Sequence, residues 1–242
     1  MFPFPNWIEI KGQRISVEDA LKNLAPLLTE ERLQKIDRVI GERTFSVALV
    51  LENIYDRGNA SAVMRSAEAL GLTSVHMIEL GEKFKKSQRT TAGADKWIEL
   101  HKYRSTADCI RALKQQGMQI VVTHLDSTSK PIAEVDFTKP SALVLGNEKE
   151  GVSQEMIEAA DHRVLLPMVG FVQSYNISVA GALSFYQIYV DRIRRQGFHG
   201  DLSEEQKQVL KAHYCLRTQP SAEEMLFEMV QRGSIKAQEM KE

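Results

Sequence analysis

From about residue 45 to residue 195, short apolar runs alternate with segments whose apolar positions recur at helical spacing. Residues 45–51 (FSVALVL), 74–80, 118–125 (MQIVVTHL), 141–145 (SALVL) and 162–166 (HRVLL) read as strands, the last stopped by Pro167. Between them, 59–70 places Ala62, Val63, Ala67 and Leu70 on one side and ends at Gly71. Residues 106–116 form a second helical pattern stopped by Gly117, 152–160 a third, and 174–195 a long fourth. Runs this continuously apolar belong to strands covered on both faces. The β-α-β-α rhythm therefore predicts an α/β fold with a mostly parallel sheet and helices on both faces.

The two ends differ from this middle. Residues 29–41 predict an amphipathic helix with Leu33, Ile36 and Ile40 on one face, Arg32, Lys35 and Arg38 on another, and Glu30 and Glu31 in the first turn. After Gly197-Phe198-His199-Gly200 come two capping-box patterns, Ser203-x-x-Gln206 and Ser221-x-x-Glu224. They predict helices over 203–217 and 221–231. The expected organisation is a core domain at 45–196, with helical extensions at 1–44 and 197–242.

Composition removes several function classes. The 242 residues carry 31 Lys+Arg against 32 Asp+Glu, a formal net charge of −1, with 43% hydrophobic and 26% charged residues. These are ordinary globular values. They exclude an indiscriminate basic coat for nucleic acid and an acidic disordered chain. No window approaches the roughly 18 apolar residues of a membrane span. The start, Met1-Phe2-Pro3-Phe4-Pro5, has no basic region and no long apolar region, so no signal peptide is expected. Cys109 and Cys215 lie in unrelated segments and read as reduced cytosolic thiols. Six scattered histidines without an HExxH or CxxC pattern give no reason to expect a metal.

Three loops concentrate polar residues where open α/β sheets place their ligands. The first, 52–65 (ENIYDRGNASAVMR), ends a strand and enters a helix, with Asn59 expected at the N-cap and Arg65 about two turns further on. The second, Gly146-Asn147-Glu148-Lys149-Glu150-Gly151-Val152-Ser153, imitates a P-loop in spacing. Val152 stands where the phosphate-binding lysine must be, and two carboxylates would repel phosphates, so nucleoside triphosphate binding is rejected. Its glycines still permit close backbone approach to a neutral or zwitterionic ligand. The third, 165–183 (LLPMVGFVQSYNISVAGAL), is a polar turn followed by a helix start of small residues. No G-x-G-x-x-G is present, which leaves dinucleotide binding without support. On residue types alone, each loop is equally a plain β-α turn with a helix cap.

In this order, Asn59-x5-Arg65, 143–153 (LVLGNEKEGVS) and 165–183 resemble the three signature motifs of the SpoU/TrmH family of RNA ribose 2′-O-methyltransferases. Outside the core, 29–44 (TEERLQKIDRVIGERT) and 90–100 (TTAGADKWIEL) resemble its tRNA-acting branch. The likeness covers most of 29–195. It implies a SPOUT-type domain with a deep trefoil knot in its C-terminal half, a homodimer, and S-adenosyl-L-methionine as cofactor. It also implies methylation of the ribose of guanosine-18 in the D-loop of tRNA, in the cytoplasm, without metal or membrane. Another tRNA ribose, ribosomal RNA, or a catalytically inactive RNA-binding protein on the same fold stay open as alternatives.

Carried over by position, the resemblance assigns catalysis to Asn59, Arg65, Glu148, Ser174 and Asn176. It assigns a mostly backbone cofactor cradle to Thr123, Leu125, Leu145, Gly146, Leu166, Met168 and Tyr175. Tyr175 departs from the leucine that related sequences usually carry there. The family's arginine has been cast as a base, but a guanidinium almost never deprotonates in a protein. Arg65 is therefore expected to anchor a substrate phosphate and stabilise the developing alkoxide.

A polyanion partner requires local positive charge despite the neutral total. Residues 83–104 carry Lys83, Lys85, Lys86, Arg89, Lys96, Lys102 and Arg104 against Asp95 and Glu99, a local net of +5. Arg192, Arg194 and Arg195 form a second cluster, and Arg32, Lys35 and Arg38 a third. RNA contacts are expected from Arg32, Lys35, Arg38, Lys85, Lys86, Arg89, Lys96, Arg192 and Arg195.

Overall fold

The computed structural model describes residues 2–80 and 93–239. In chain order its elements are β1 (Trp7–Ile10), β2 (Gln13–Ser16), α1 (Val17–Leu24), α2 (Glu30–Gly41), β3 (Thr44–Glu52), α3 (Arg57–Ala69), β4 (Leu72–Ile78) and β5 (Glu99–Tyr103). There follow α4 (Thr106–Gln115), β6 (Gln119–Thr123), β7 (Lys130–Pro131), β8 (Ser141–Leu145), α5 (Gln154–Ala159) and β9 (His162–Leu165). The last are α6 (Ile177–Gln196), α7 (Glu204–Thr218), α8 (Ala222–Gln231) and β10 (Ala237–Glu239). Two compact units result: Thr44–His199, and Phe2–Arg43 together with Gly200–Glu242.

The first unit is built on a seven-stranded sheet of order β5-β4-β3-β8-β6-β9-β7, with every pairing parallel. β3 shows why the apolar runs are unbroken. Val47, Leu49 and Leu51 join Val63, Met64, Phe185 and Ile188 in one buried cluster, beneath α3 and α6. Ala48 and Val50 join Cys109, Leu113, Met156 and Ile157 in another, beneath α4 and α5. Successive side chains alternate between two covered faces, so neither face can be polar. α3 and α6 pack against each other, and at Gly181 a Cβ would stand 3.2 Å from both Leu145 Cδ1 and Val63 Cγ1. The small residues at the start of α6 thus allow a close approach. All strands run the same way, so the loops after β3, β6, β8 and β9 share the carboxyl edge of the sheet.

The second unit carries, besides its helices, an antiparallel sheet of order β1-β2-β10 that the sequence reading does not include. Its signal was the two-residue Lys11-Gly12 turn, both at positive φ, between short alternating strands. α1 and α2 pack on α7, and Ala20, Leu24, Ile36, Ile40, Val209, Leu210 and Leu226 are buried. A Cβ on Gly200 would overlap the Gly41 carbonyl, and Asp201 N donates to Arg43 O at 3.2 Å. There the two terminal segments meet backbone to backbone. The Ser203–Gln206 capping box forms as expected. Ser221 flanks α8 without a side-chain cap, because its backbone sits at φ −100, ψ 11 rather than in the extended region a cap requires.

Candidate active site

β3 delivers the chain to the carboxyl edge at Glu52, whose buried carboxylate holds two other elements. Oε1 accepts from Thr106 Oγ1 at 2.8 Å and Ser153 Oγ at 2.7 Å, and Oε2 accepts from Ser153 N at 2.9 Å. Glu52 thereby ties the end of the 146–153 loop and the start of α4 to β3. The sequence reading gave Glu52 no role; a lone acid at the end of an apolar run was its only signal.

The cap of α3 corrects an expectation. Asp56, not Asn59, is the N-cap, with Oδ1 accepting from Gly58 N at 2.6 Å and Asn59 N at 3.0 Å. The helix begins two residues earlier than the apolar periodicity indicated. Asn59 lies within its first turn, and its side chain is turned outward to a different task. Asn59 Nδ2 donates to Glu148 Oε1 at 3.1 Å, and Asn59 Oδ1 accepts from Asn176 Nδ2 at 3.2 Å. Asn176 is itself the N-cap of α6, accepting from Ser178 N at 2.8 Å and Ser178 Oγ at 2.6 Å.

Glu148 is the hub. Its Oε2 also accepts from Tyr55 N at 3.0 Å, and its Oε1 from Asp56 N at 3.3 Å. Partial burial works to raise the carboxyl's pKa, but hydrogen bonds from the Tyr55 amide, the Asn59 side chain and the Asp56 amide outweigh it and hold the pKa below its ordinary value. The loop presenting Glu148 is a tight hairpin. Asn147 and Gly151 exchange backbone bonds of 2.9 and 2.8 Å. Asn147 Oδ1 accepts from Lys149 N and Glu150 N, while its Nδ2 donates to Asn53 O at 2.6 Å. A Cβ on Gly146 would overlap the Gly151 carbonyl carbon and Val152 N, so the close neighbour that demands this glycine is the protein's own backbone.

Three of the five residues assigned to catalysis, Asn59, Glu148 and Asn176, are thus joined in one hydrogen-bonded chain across three segments. Arg65 and Ser174 are not joined to it. Both are exposed, and their side chains make no hydrogen bond or ion pair among the described residues.

The cradle residues lie at the ends of the adjacent strands β8, β6 and β9. Thr123 Oγ1 donates to Val144 O at 3.0 Å, and Tyr175 OH donates to Pro167 O at 3.1 Å. Leu145 is buried in the core, so only its backbone can face a ligand. Leu166 packs against the core, while Leu125 is exposed and Met168 half-buried. Residues 168–175 make no backbone–backbone hydrogen bond among the described residues, so their amides and carbonyls are not committed to secondary structure. Apolar side chains around backbone donors and acceptors suit a purine and a sulfonium. The acidic loop beside them does not oppose a positively charged ligand.

Charge clusters prove unequal. Arg192 is 1% exposed, and this overturns its assignment to RNA. Its guanidinium donates to His199 O at 2.9 and 3.2 Å and to Phe137 O at 2.9 Å, capping carbonyls inside the fold. Arg195 Nε is held by the buried Asp191 at 2.8 Å, and this bond raises the arginine's pKa. Lys35, Arg38 and Lys96 are exposed, and Arg32 is half-buried. Lys85, Lys86 and Arg89 lie outside the described residues. Among the described residues no group of His, Cys, Asp and Glu could hold a metal, and no helix is long and apolar enough to cross a membrane.

Comparison with known proteins agrees with this arrangement. Residues 46–186 match the model of the SpoU rRNA Methylase family. The tRNA (guanosine(18)-2′-O)-methyltransferase of Borreliella burgdorferi is 38% identical over 200 residues, 81% of this chain and 91% of the relative. The crystal structure of the A. aeolicus TrmH/SpoU tRNA modifying enzyme superposes with a TM-score of 0.69 at 34% identity, covering 76% of this chain and 96% of that one. An AdoMet-bound rRNA methyltransferase from Sinorhizobium meliloti superposes with a TM-score of 0.55 at 26% identity, covering 66% of this chain and 60% of that one. With its three motifs brought to one edge of a parallel sheet, and the family's model matched over 46–186, this chain belongs to the SpoU methylase family.

Proposed function

We propose that this protein is a methyltransferase that uses S-adenosyl-L-methionine to methylate the ribose 2′-OH of guanosine-18 in the D-loop of tRNA. The observation that carries the reading is the Glu148–Asn59–Asn176 chain, which joins side chains from all three motifs at the carboxyl edge of the sheet. The relatives in Borreliella burgdorferi and A. aeolicus, named for action on tRNA, support the choice of substrate.

Bound S-adenosyl-L-methionine supplies a methyl group already activated by its sulfonium. Thr123, Leu125, Leu145, Gly146, Leu166, Met168 and Tyr175 would hold it, largely through backbone. The chain's own residues position the ribose and manage its proton. Arg65 is free of competing partners among the described residues, so its guanidinium can bind a substrate phosphate and stabilise negative charge on the 2′ oxygen. The proton leaves to phosphate or water, since the arginine cannot take it. Asn59, Asn176 and Ser174 would orient the ribose, and Glu148 fixes the first and second loops against each other. The remaining basic residues of the expected contact set, Arg32, Lys35, Arg38, Lys85, Lys86, Arg89, Lys96 and Arg195, would grip the RNA backbone.

The reading includes a deep trefoil knot, a homodimer and a cytoplasmic setting. Supporting the dimer, α6 exposes Val179, Leu183, Tyr186, Val190 and Ile193, a stripe at helical spacing, and the loop before it exposes Val169, Phe171 and Val172. Supporting the cytoplasm, Cys109 and Cys215 are free and buried.

The test is incubation of the protein with labelled S-adenosyl-L-methionine and unmodified tRNA, followed by mapping of the methylated nucleotide. A 2′-O-methyl group at guanosine-18 is expected. Methyl groups on a base, or on no tRNA at all, would overturn the reading.

A further inference from the structure

β9 ends at Leu165 and α6 begins at Ile177, and the chain between them is held firmly only at its two ends. Leu166 packs against the core at one end. At the other, Asn176 caps α6 and donates to Asn59. Between these anchors, residues 167–175 make a single hydrogen bond among the described residues, from Tyr175 OH to Pro167 O at 3.1 Å. That bond joins the first residue of the segment to the last and closes it into a loop. The 146–153 loop is the opposite case. A backbone pair between Asn147 and Gly151 holds it, together with the side chains of Asn147 and Glu148.

The residue types explain the single fastening. Pro167 has no N–H with which to continue the ladder of β9. Val169, Phe171 and Val172 are exposed, so they do not hold the loop to the core. A tyrosine carries its donor at the far end of a rigid ring with two side-chain torsions, and can span a loop at small entropic cost. One such bond shifts an equilibrium by only about 2–10-fold. The loop is therefore latched rather than locked.

We propose that the Tyr175 hydroxyl is a positioning group for the cofactor. By closing on the Pro167 carbonyl it holds residues 167–175 in the form whose uncommitted amides and carbonyls receive S-adenosyl-L-methionine. The proposal rests on the cofactor reading given above and adds what prepares the site. A ligand that binds only the closed form loses affinity in proportion to the fraction of chain that is open, so the latch strengthens binding without touching the ligand. The next residue extends the consequence. Asn176 follows Tyr175 directly and belongs to the Glu148–Asn59–Asn176 chain. Order in the cofactor loop and order in the catalytic chain thus share one stretch of backbone.

The experiment compares the wild-type protein with Tyr175→Phe, which keeps the ring and removes the hydroxyl. Tyr175 is 37% exposed, so the variant keeps the fold. Dissociation constants for S-adenosyl-L-methionine and for its demethylated product, S-adenosyl-L-homocysteine, are measured by calorimetry. Both should rise about 3–10-fold, and by the same factor, because the latch acts on the loop and not on the sulfonium. Chymotrypsin cleavage after the exposed Phe171, followed without cofactor, should accelerate by a similar factor, since cleavage tracks the open population. Unchanged dissociation constants overturn the proposal, whether or not cleavage accelerates. A rise for S-adenosyl-L-methionine alone, with cleavage unchanged, assigns the hydroxyl to the sulfonium end of the ligand and also overturns it. A wild-type protein that binds neither compound sinks the cofactor reading and the latch together. One that binds both but methylates no tRNA sinks the proposed function, and the shift in both constants still decides the latch.

Discussion

Two carboxylates in the Thr44–His199 unit gather hydrogen bonds from several segments, and they do opposite things. Asp191 is fully buried near the end of α6. It accepts from Phe137 N at 3.1 Å and from Arg194 and Arg195 at 2.8 Å each. Beside it, Arg192 caps the carbonyls of Phe137 and His199. The bonds to Phe137 and His199 fasten α6 to its surroundings, and the two arginine bonds to Asp191 close within the helix. Glu148 sits in the open, on a hairpin, and its donors come from the loop before α3 and from α3 itself, with Asn176 one step further. That chain ends at solvent, and Arg65, further along α3, has no side-chain partner among the described residues. A charged cluster closed by its own fold is structural, whereas one that stops short of closure is equipped to receive something.

The sharpest way to break this contrast is at Arg65. Arg65→Ala should lower kcat by about 10³-fold, the upper end for losing one donor to a developing charge, with affinity for S-adenosyl-L-methionine and Tm unchanged. Arg65→Lys keeps the charge but not the planar fork, and should recover little. Near-wild-type turnover by the lysine variant, measured as initial rates on tRNA, would remove the case for a bidentate guanidinium.

Asp191→Ala should show the reverse. The buried Phe137 amide would lose its acceptor, at about 1–3 kcal/mol. Arg194 and Arg195 are partly exposed and can rehydrate, so they add little. A stability loss of about 2–3 kcal/mol in denaturant unfolding is expected, with kcat per folded molecule close to wild type. A selective loss of kcat at full stability would put Asp191 in the same class as Glu148.

The α/β alternation, five of the seven strands of the large sheet and its main helices were legible because both faces of the sheet are covered, which makes the periodicity strong. β5 was not. It is one of the two edge strands, its residues are half-buried or exposed, and ELHKY carries no apolar run. β1 and β2 were missed because four residues each is too short for alternation to stand out, although the Lys11-Gly12 turn between them was a usable mark. In the site, Asn59 and Asn176 were legible by motif, but their mutual bond was not, since 117 residues separate them. Arg192 misled for the same reason. Its carbonyl partners at Phe137 and His199 and its burial are properties of packing, and three arginines within four residues look alike in a sequence.

Glu148→Gln offers a finer cut. An amide keeps the shape but presents an NH₂ to one of the three donors around it, so activity should fall about 10-fold with little change in Tm. The sign of the pH effect follows from the depressed pKa. The carboxylate's contribution to loop order is fully present above the unfolded value of about 4.3 and is lost as pH falls through the lower folded value. The wild-type protein should therefore lose loop order on acidification below that range, and Glu148→Gln should flatten this response, as read by hydrogen exchange at Tyr55 and Asp56. An identical acid response in both proteins would show that the loop is ordered by something else.

The smallest expected effects separate one arginine from another. Arg38 is exposed on α2, and a phosphate contact there releases about one counterion. Arg38→Ala should raise KM for tRNA about 2–3-fold and reduce the salt dependence of binding, plotted as log K against log salt, by about one unit of slope. Arg192→Met removes the same charge from a buried place. It should leave that slope unchanged and lower Tm instead, because the carbonyls of Phe137 and His199 lose their donor. Both substitutions take away one positive charge. If they changed the salt slope equally, net charge rather than exposure would govern the RNA contact. The contrast between a closed cluster and an open one would then fail for arginines even if it held for the two carboxylates.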